Sequence, residues 1–380
     1  MFLSILFSAV SCLCYLGLII FFTHGWYTGK TFIRTNQTPR TKTSIIIAFR
    51  NEEENMLPLL ISLSEQDYPL ALFQVILVDD HSGDGSYKIA EEFILNNGLQ
   101  HFTLLSLTDA EGFSKKTALK KGIECSTGTL IVTTDADCVF QKSWLSTMVD
   151  FYEHNKCRLI SGPVAIDDRG GMFSKFQSLE FLSLMISGAG ALMAGKPVMA
   201  NGANLCFERS LYNELNGYLS HNKFVSGDDI FMLHAAKKHV KNKNEICFLK
   251  NPGNIVLTKG VTNFRRFLNQ RIRWASKSTG YKDPLTIFTA FVIFFFNLSI
   301  FSGCFLGFFN EWIMFTALIL FFVKLVVDFP LIYSGTGFIG EKYLLWLYIP
   351  MQIIYPAYIV FVATLSFFIK FDWKGRSMKQ

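Results

Sequence analysis

A 380-residue chain that is half hydrophobic, with 39 phenylalanines and 17% charged side chains, is too apolar for an ordinary soluble enzyme and long enough for one large domain plus membrane segments. The net charge of +6 is modest and no nucleic-acid module is legible, which excludes nucleic acid as the expected partner. The eight cysteines are scattered and form no CxxC pair, a pattern that fits reduced cytosolic thiols better than a disulfide framework or a zinc site.

Met1 to Phe22 carries no charged side chain, and a spanning helix needs roughly 20 such residues. There is no basic n-region and no clear small-residue cleavage site, so residues 1–23 read as a retained transmembrane anchor and not as a cleaved signal. Lys30, Arg34, Arg40 and Lys42 follow it. By the positive-inside rule, the chain after the anchor is cytoplasmic.

Residues 42–260 read as a soluble α/β domain. Thr43–Phe49 is a continuous β-branched and apolar run, as expected for a strand buried on both faces of a parallel sheet. A helix follows over about Glu52–Gln66. Gln74–Val78 is a second buried strand, ending in Asp79-Asp80-His81-Ser82-Gly83-Asp84-Gly85. Phe102–Leu105 is a third, Ser114–Glu124 is helical, and Thr129–Thr134 is a fourth strand ending at Asp135-Ala136-Asp137. Alternation of strand and helix implies a doubly wound, mostly parallel sheet. Ligands of such sheets bind outside the carboxyl ends of the strands, and both acidic clusters fall there.

Those clusters carry the candidate chemistry. Asp135 and Asp137, one residue apart after a buried strand, can share a hard divalent cation, Mg²⁺ or Mn²⁺, that also contacts phosphate. The bland alternative is a solvated acidic loop. Asp79 and Asp80 can accept hydrogen bonds from a nucleoside, as acidic residues do in other nucleotide sites, whereas Asp84 and Gly85 suit the turn itself. Asp228 and Asp229 begin a helix after Ser226-Gly227. One suits an N-cap and the other a general base. No GxxxxGK[ST] and no complete GxGxxG is present, which argues against an NTPase or a nicotinamide enzyme.

Residues 261–282 read as an amphipathic basic helix at the membrane surface. Gln270, Arg273 and Trp274 share one face at i, i+3 and i+4, and the cluster Arg265, Arg266, Arg271, Arg273 and Lys277 suits anionic headgroups or phosphates. Residues 285–369 form a C-terminal transmembrane region with candidate spans at Leu285–Phe305, Trp312–Tyr333 and Leu344–Ile369. Pro350 and Pro356 divide the last of these, so a re-entrant pair of short helices is an alternative to a third crossing. Three crossings would put the basic tail from Lys370 to Arg376 outside, against the positive-inside rule. Lys324 and Asp328, four apart, are read as a structural pair inside the bundle.

Taken together, the ordered set Ala48-Phe49-Arg50-Asn51-Glu52-Glu53, Val78-Asp79-Asp80-His81-Ser82, Lys115 with Ala118-Leu119, Asp135-Ala136-Asp137, Gly227-Asp228-Asp229 and Gln270-Arg271-Ile272-Arg273-Trp274 resembles the inverting family 2 glycosyltransferases of GT-A fold. The resemblance covers about Lys42 to Lys277 plus the hydrophobic flanks. It implies a Rossmann-like GT-A catalytic domain between N-terminal and C-terminal transmembrane helices, a nucleotide-sugar donor with UDP as the expected carrier, and a lipid, lipid-linked or glycan acceptor. It also implies a place in the bacterial inner membrane, with a cytoplasmic catalytic domain working in envelope polysaccharide or glycolipid synthesis. Arg50, Glu52, Asp79 and Asp80 would border the nucleoside, Lys115 the diphosphate, Asp135 the donor ribose or sugar, and Asp137 with Asp135 the divalent cation. Asp229, with Asp228 beside it, would serve catalysis as the base, and Gln270, Arg273 and Trp274 look like the QxxRW motif placed over donor and acceptor. QxxRW often accompanies processive polymer synthesis, but such enzymes carry more spans, so one or few transfers are expected here. A polymer synthase is the alternative. A membrane transport or sugar-binding protein and an inactive binding homologue are the remaining readings.

Overall fold

The computed structural model of the protein describes residues 2–35, 37–219, 228–368, 371–373 and 376–378. In chain order its strands are β1 (Thr43–Phe49), β2 (Phe73–Asp79), β3 (Phe102–Ser106), β4 (Leu130–Asp135), β5 (Cys138–Val139), β6 (Leu159–Ser161), β7 (Val164–Asp167), β8 (Leu205–Glu208), β9 (Ile246–Phe248), β10 (Val256–Lys259), β11 (Phe371–Trp373) and β12 (Arg376–Met378). The helices are α1 (Phe2–Thr28), α2 (Glu53–Ser64), α3 (Ser86–Asn96), α4 (Lys115–Cys125), α5 (Trp144–Asn155), α6 (Met172–Met193), α7 (Arg209–Leu219), α8 (Asp228–His239), α9 (Phe264–Ser276), α10 (Pro284–Leu306), α11 (Glu311–Phe338) and α12 (Tyr348–Phe368). The chain divides into two compact units: residues 30–167 with 199–259, and residues 1–29 with 168–198 and 260–380.

The first unit is built on a seven-stranded sheet in the order β3-β2-β1-β4-β8-β6-β9. β1, β2, β3 and β4 run parallel, and β8 is antiparallel to β4 and β6. This is the mostly parallel sheet that the strand–helix alternation predicts. Every residue of β1 is buried, because helices cover both faces of a parallel sheet. α4 lies close on the sheet: a Cβ at Gly122 would stand 2.5 Å from Ile46 and 3.2 Å from Val78. A smaller sheet, β5-β10-β7, lies beside the first.

One cysteine expectation is corrected. Cys157 and Cys247 form a disulfide, with Cα atoms 6.0 Å apart and in the ordinary range for such a bond. The two are 90 residues apart, so spacing carries no sign of the pair. The register of β6 on β9, Ile160 opposite Cys247, brings them together. Cys12, Cys14, Cys125, Cys138, Cys206 and Cys304 are free.

The second unit is helical. Among the described residues, five helices are long and apolar enough to cross a membrane: Ile5–Thr28, Met172–Met193, Pro284–Leu306, Glu311–Phe338 and Lys342–Phe368. The second of these, in α6, falls inside the 42–260 stretch that the sequence reading assigned to the catalytic domain. It packs instead with the helices, since residues 168–198 cluster with them. Its contact with α1 is made by glycines on both sides, where a Cβ at Gly25 or Gly190 would overlap the other helix's backbone. α12 is continuous through Pro356, with Pro350 in its first turn. In that turn a missing backbone N–H costs little, so the two prolines do not split it into two short helices. The tail side chains beyond residue 368 lie outside the described residues.

Lys324 and Asp328 pair at 2.5 Å within this bundle. Tyr15 of α1 donates to both Asp328 oxygens at 2.8 and 3.0 Å, and Gln352 of α12 donates at 3.1 Å. The charges therefore tie α1, α11 and α12 together in an apolar surround. Arg271 also differs from its expected place among the headgroup-facing cations: it is 2% exposed and pairs with Glu180 of α6 at 2.6 Å. Removing one member of a buried pair leaves an uncompensated charge. Lys324→Met is therefore expected to destabilise the bundle by about 3 kcal/mol, seen as a lower thermal unfolding midpoint of the detergent-solubilised protein, while Lys282→Met at the surface leaves the midpoint unchanged.

Candidate functional site

The site forms where the parallel strands end. In register, Phe49 lies opposite Asp79 and Ala48 opposite Asp135, so the loops after β1, β2 and β4 leave the sheet side by side. The chain winds outward from β1 through β2 to β3 and then returns to β4 on the other side of β1. This is the topological switch point at which open α/β sheets bind ligands.

The β1 and β2 loops lock each other. Arg50 Nη1 donates to the carbonyls of Asp80 and His81 at 2.7 and 2.6 Å. Asn51 N donates to Ser82 Oγ at 3.0 Å, and its side-chain oxygen accepts from Gly83 N at 2.8 Å. Glu52 N donates to Ser86 Oγ at 2.7 Å and Glu53 N to Asp84 at 3.1 Å. Asn51 and His81 both have positive φ, 49° and 59°, a conformation uncommon outside glycine and held here by those bonds. Asp84 also accepts from Ser86 N and Oγ at 3.1 and 2.5 Å, so its carboxylate serves the turn.

Asp79 accepts from Ser82 N at 3.1 Å, and Asp80 is 1% exposed with His81 Nδ1 at 3.2 Å. Both carboxylates that the sequence reading assigns to a nucleoside are thus turned into the loop. The outer rim is formed by the His81 ring, 4.2 Å from that of Phe113.

Lys115 opens α4 behind the N-cap Ser114, whose hydroxyl accepts from Thr117 N at 3.0 Å. From that position its ammonium pairs with Asp135. Asp137 follows two residues on. Burial, then the negative charges of Asp135 and Glu52, push its carboxyl up from 3.8 to about 6, against a hydrogen bond from Thr258 and the Lys115 charge. Thr258 reaches it because β10 pairs with β5, Thr258 opposite Cys138. That residue was not anticipated, and no local pattern marks it.

Asp135, Asp137 and Glu52 are hard oxygen donors whose mutual repulsion a divalent cation would relieve. The donor chemistry of Asp135 and Asp137 suits such an ion, while among the described residues no group of three or more acidic, histidine or cysteine side chains is arranged to hold one.

Asp229 is tied to the end of β4. Its two oxygens accept from Gly202 N at 3.1 Å and Ile230 N at 2.8 Å. The turn at Gly202–Asn204 is in turn held by Thr134 Oγ1, which donates to Ala203 O at 2.8 Å. Asn204 is fully buried. Its Nδ2 donates to Pro163 O and Asn254 O, both at 2.9 Å, and its oxygen accepts from Trp144 Nε1 at 3.1 Å. The Asn201–Asn204 turn is a structural brace at Asn204 and a support for Asp229 at Gly202. The side chain of Asp228 and the whole of Gly227 lie outside the described residues. Gln270, Arg273 and Trp274 stand on α9 in the helical unit.

Comparison with known proteins bears on the family and the fold. The family model for Glycosyl transferase family 2 matches residues 44–213, and that for Glycosyl transferase family group 2 matches residues 130–369. The chain is 26% identical to glycosyltransferase AglE of Haloferax volcanii over 49% of this chain and 58% of that one. It is 25% identical to a poly-beta-1,6-N-acetyl-D-glucosamine synthase of Staphylococcus epidermidis over 61% and 53%. The chain spans little more than half the length of these relatives. In fold it is similar to mannosyltransferase PcManGT from Pyrobaculum calidifontis, solved in complex with GDP-Man and Mn²⁺, with a TM-score of 0.60 and 18% identity over 96% of this chain and 99% of that one.

A carboxyl whose folded value is raised is destabilising when ionised. The cost is absent below 3.8 and complete above about 6. Asp137→Asn is therefore expected to stabilise the cation-free protein by about 2 kcal/mol at pH 8, a gain that fades as pH falls from 6 to 4. Thermal unfolding in a chelating buffer across that range checks it.

Proposed function

Since the chain belongs to glycosyl transferase family 2, matched by its group model over residues 130–369, we propose that it is a membrane-bound inverting glycosyltransferase that moves a sugar from a nucleotide-sugar, with UDP as the carrier, to a lipid, lipid-linked or glycan acceptor. The observation that carries this reading is the convergence at the switch point: Asp135 opposite Ala48, Lys115 on Asp135, and Asp229 bound to the turn that braces β4.

In the proposed reaction an acceptor hydroxyl attacks the anomeric carbon while the bond to the diphosphate oxygen breaks on the opposite face. Asp229 takes the hydroxyl proton. Two backbone N–H groups hold its carboxylate, which fixes the direction in which the remaining lone pairs face. The electron pair of the broken bond leaves with the nucleoside diphosphate, and the Lys115 ammonium offsets that growing charge. A bound Mg²⁺ or Mn²⁺, held by Asp137 and Asp135, would supply further neutralisation of the diphosphate. Arg50 and Glu52 keep the β1 and β2 loops in the shape that borders the nucleoside. One displacement inverts the anomeric centre.

The placement in the membrane is proposed on the same footing. Lys30, Arg34, Arg40 and Lys42 follow α1 and favour the cytoplasmic side for the first unit, in a bacterial inner membrane. α1, α10, α11 and α12 carry exposed apolar side chains, among them Leu13, Phe291, Phe322 and Ile353, as a lipid-facing surface would. An acceptor with a lipid tail can approach along that surface. A processive synthase is the second reading, favoured by the 61% coverage in the match to the poly-beta-1,6-N-acetyl-D-glucosamine synthase.

Purified protein screened with nucleotide-sugars, by thermal shift and by mass spectrometry of products, tests both readings. Short products with one or a few added sugars are expected, and long chains would replace the first reading with the second. Asp229→Asn is expected to keep donor binding and lose about 10²–10⁴-fold in turnover; unchanged turnover removes Asp229 as the base. Asp137→Ala is expected to abolish the cation-dependent part of donor binding in a calorimetric titration with Mg²⁺, and an unaltered Mg²⁺ response would remove Asp137 from the cation site.

A further inference from the structure

The helical unit carries a basic and aromatic cluster that the proposed chemistry does not use. It lies where α11 ends. α11 has 28 residues, about 42 Å at the helical rise, against a hydrocarbon core of about 30 Å. It is long enough to bring both its ends to a bilayer surface. Trp26, near the end of α1, donates to Ser334 Oγ at 2.8 Å and packs edge-on against Phe338 with ring centres 5.2 Å apart, so α1 and α11 end on the same side. Lys30 and Arg34 follow α1, which makes that side the cytoplasmic one in the reading above.

Lys342 follows α11 after the turn at Gly340, whose φ is 78°. Its stem folds back over the helix. A Cβ at Gly337 would stand 3.2 Å from Lys342 Cε, so the glycine leaves the room. The ammonium comes to rest 5.2 Å from the centre of the Tyr333 ring. On the other side of the turn, Ser178 of α6 donates to Glu341 at 3.3 Å. Lys175, one turn earlier in α6, then has its ammonium 5.5 Å from the centre of the Tyr343 ring.

Among the described residues, neither ammonium forms an ion pair. Glu341 is the carboxylate of the group, and it accepts from Ser178 and pairs with neither lysine. A ring face attracts an ammonium but does not take up its three N–H donors. Lys342 lies past the C-terminus of α11, where the helix dipole favours a positive charge. Lys175 lies in the first turn of α6, where the dipole disfavours one, and that turn holds no acidic residue. The chain therefore gathers two cations here without a counter-charge.

The flanks indicate which anion fits. Tyr333, Tyr343 and Trp346 are about half exposed, and Ile349 and Ile353, one turn apart on α12, are exposed as well. Tyr and Trp favour the headgroup level of a bilayer, and isoleucine favours the acyl region. A free phosphate would meet the cations and leave this strip bare, whereas a phospholipid covers both. We propose that Lys175 and Lys342 bind the headgroup of an anionic phospholipid of the cytoplasmic leaflet, the leaflet with the negative surface potential, with an acyl chain along Ile349 and Ile353. The inference rests on the membrane reading above and not on the donor site.

The full chain in detergent, incubated with equal amounts of phosphatidylglycerol and phosphatidylcholine and followed by native mass spectrometry, tests it. The parent is expected to retain phosphatidylglycerol with a preference of about 25-fold, roughly fivefold for each ammonium. Lys175→Met and Lys342→Met are each expected to cut that preference about fivefold, and the double variant to abolish it. Lys342→Arg keeps the charge and is expected to keep the preference. Lys88→Met, which removes the same charge from an exposed position of the other unit, is expected to leave it unchanged. Excess glycerol phosphate is expected not to displace the lipid.

Equal retention of the two lipids by the parent overturns the site, as does a double variant that retains phosphatidylglycerol like the parent. Displacement by glycerol phosphate makes this a site for free phosphate and overturns the lipid assignment. Unfolding midpoints in lipid-free detergent are expected to match the parent's, since neither lysine is buried; a loss of preference confined to variants with lowered midpoints counts against the site. A parent that stays monodisperse without detergent and retains neither lipid overturns the membrane reading itself, an outcome distinct from equal retention of both.

Discussion

Parallel pairing of β1 with β2 on one side and β4 on the other is the constraint on which the site depends. Parallel strands end at the same edge of the sheet. Acidic residues that follow separate strands in sequence are therefore delivered to one place, where Asp79, Asp135 and the Arg50–Glu52 loop emerge together. The cost is electrostatic. Carboxylates gathered at a partly buried edge are desolvated and repel one another: burial first, then the charges of Asp135 and Glu52, raise the Asp137 carboxyl to about 6. Lys115 offsets part of it from the first turn of α4.

Such a site has to be stiff, because a negative cluster will spread apart if its loops can move. The β1 and β2 loops hold each other by reciprocal side-chain-to-backbone bonds, and two non-glycine residues accept positive φ within them. The β4 side is braced differently. Thr134 binds the turn at Gly202–Asn204, Asn204 is locked into the core by Pro163, Asn254 and Trp144, and Asp229 is caught on Gly202. Buried amides with every polar atom occupied specify one arrangement more sharply than apolar packing does.

The helical unit uses the same logic in an apolar medium. Two of its ion pairs are buried: Lys324 with Asp328, and Arg271 with Glu180. Each pair draws in tyrosines from neighbouring helices, so the polar groups set which helices meet and in what register. Packing among apolar side chains does not discriminate so strongly when the surroundings are also apolar.

Much of this was legible in the chain alone. Runs of β-branched and apolar residues, broken by helical periodicity, specified the four parallel strands to within a residue or so, since burial on both faces leaves no alternation to misread. The ends of those strands named Asp79, Asp80, Asp135 and Asp137 as candidates. Apolar length named four of the five spanning-length helices. Tertiary structure decided what local pattern cannot carry. α6 belongs with the helices, because glycines on both sides of its crossing with α1 allow a close approach. Cys157 meets Cys247 only through the pairing of β6 with β9. Thr258 reaches Asp137 only through the pairing of β10 with β5. Asp80 is turned inward, and Arg271 serves Glu180 and not a headgroup, because a basic residue on a helix has the same sequence signature whether it faces water or a buried acid. Spacing along the chain determines which residues share an element and a face. What lies opposite that face is set by contacts between segments far apart in sequence, and those exist only once the chain has folded.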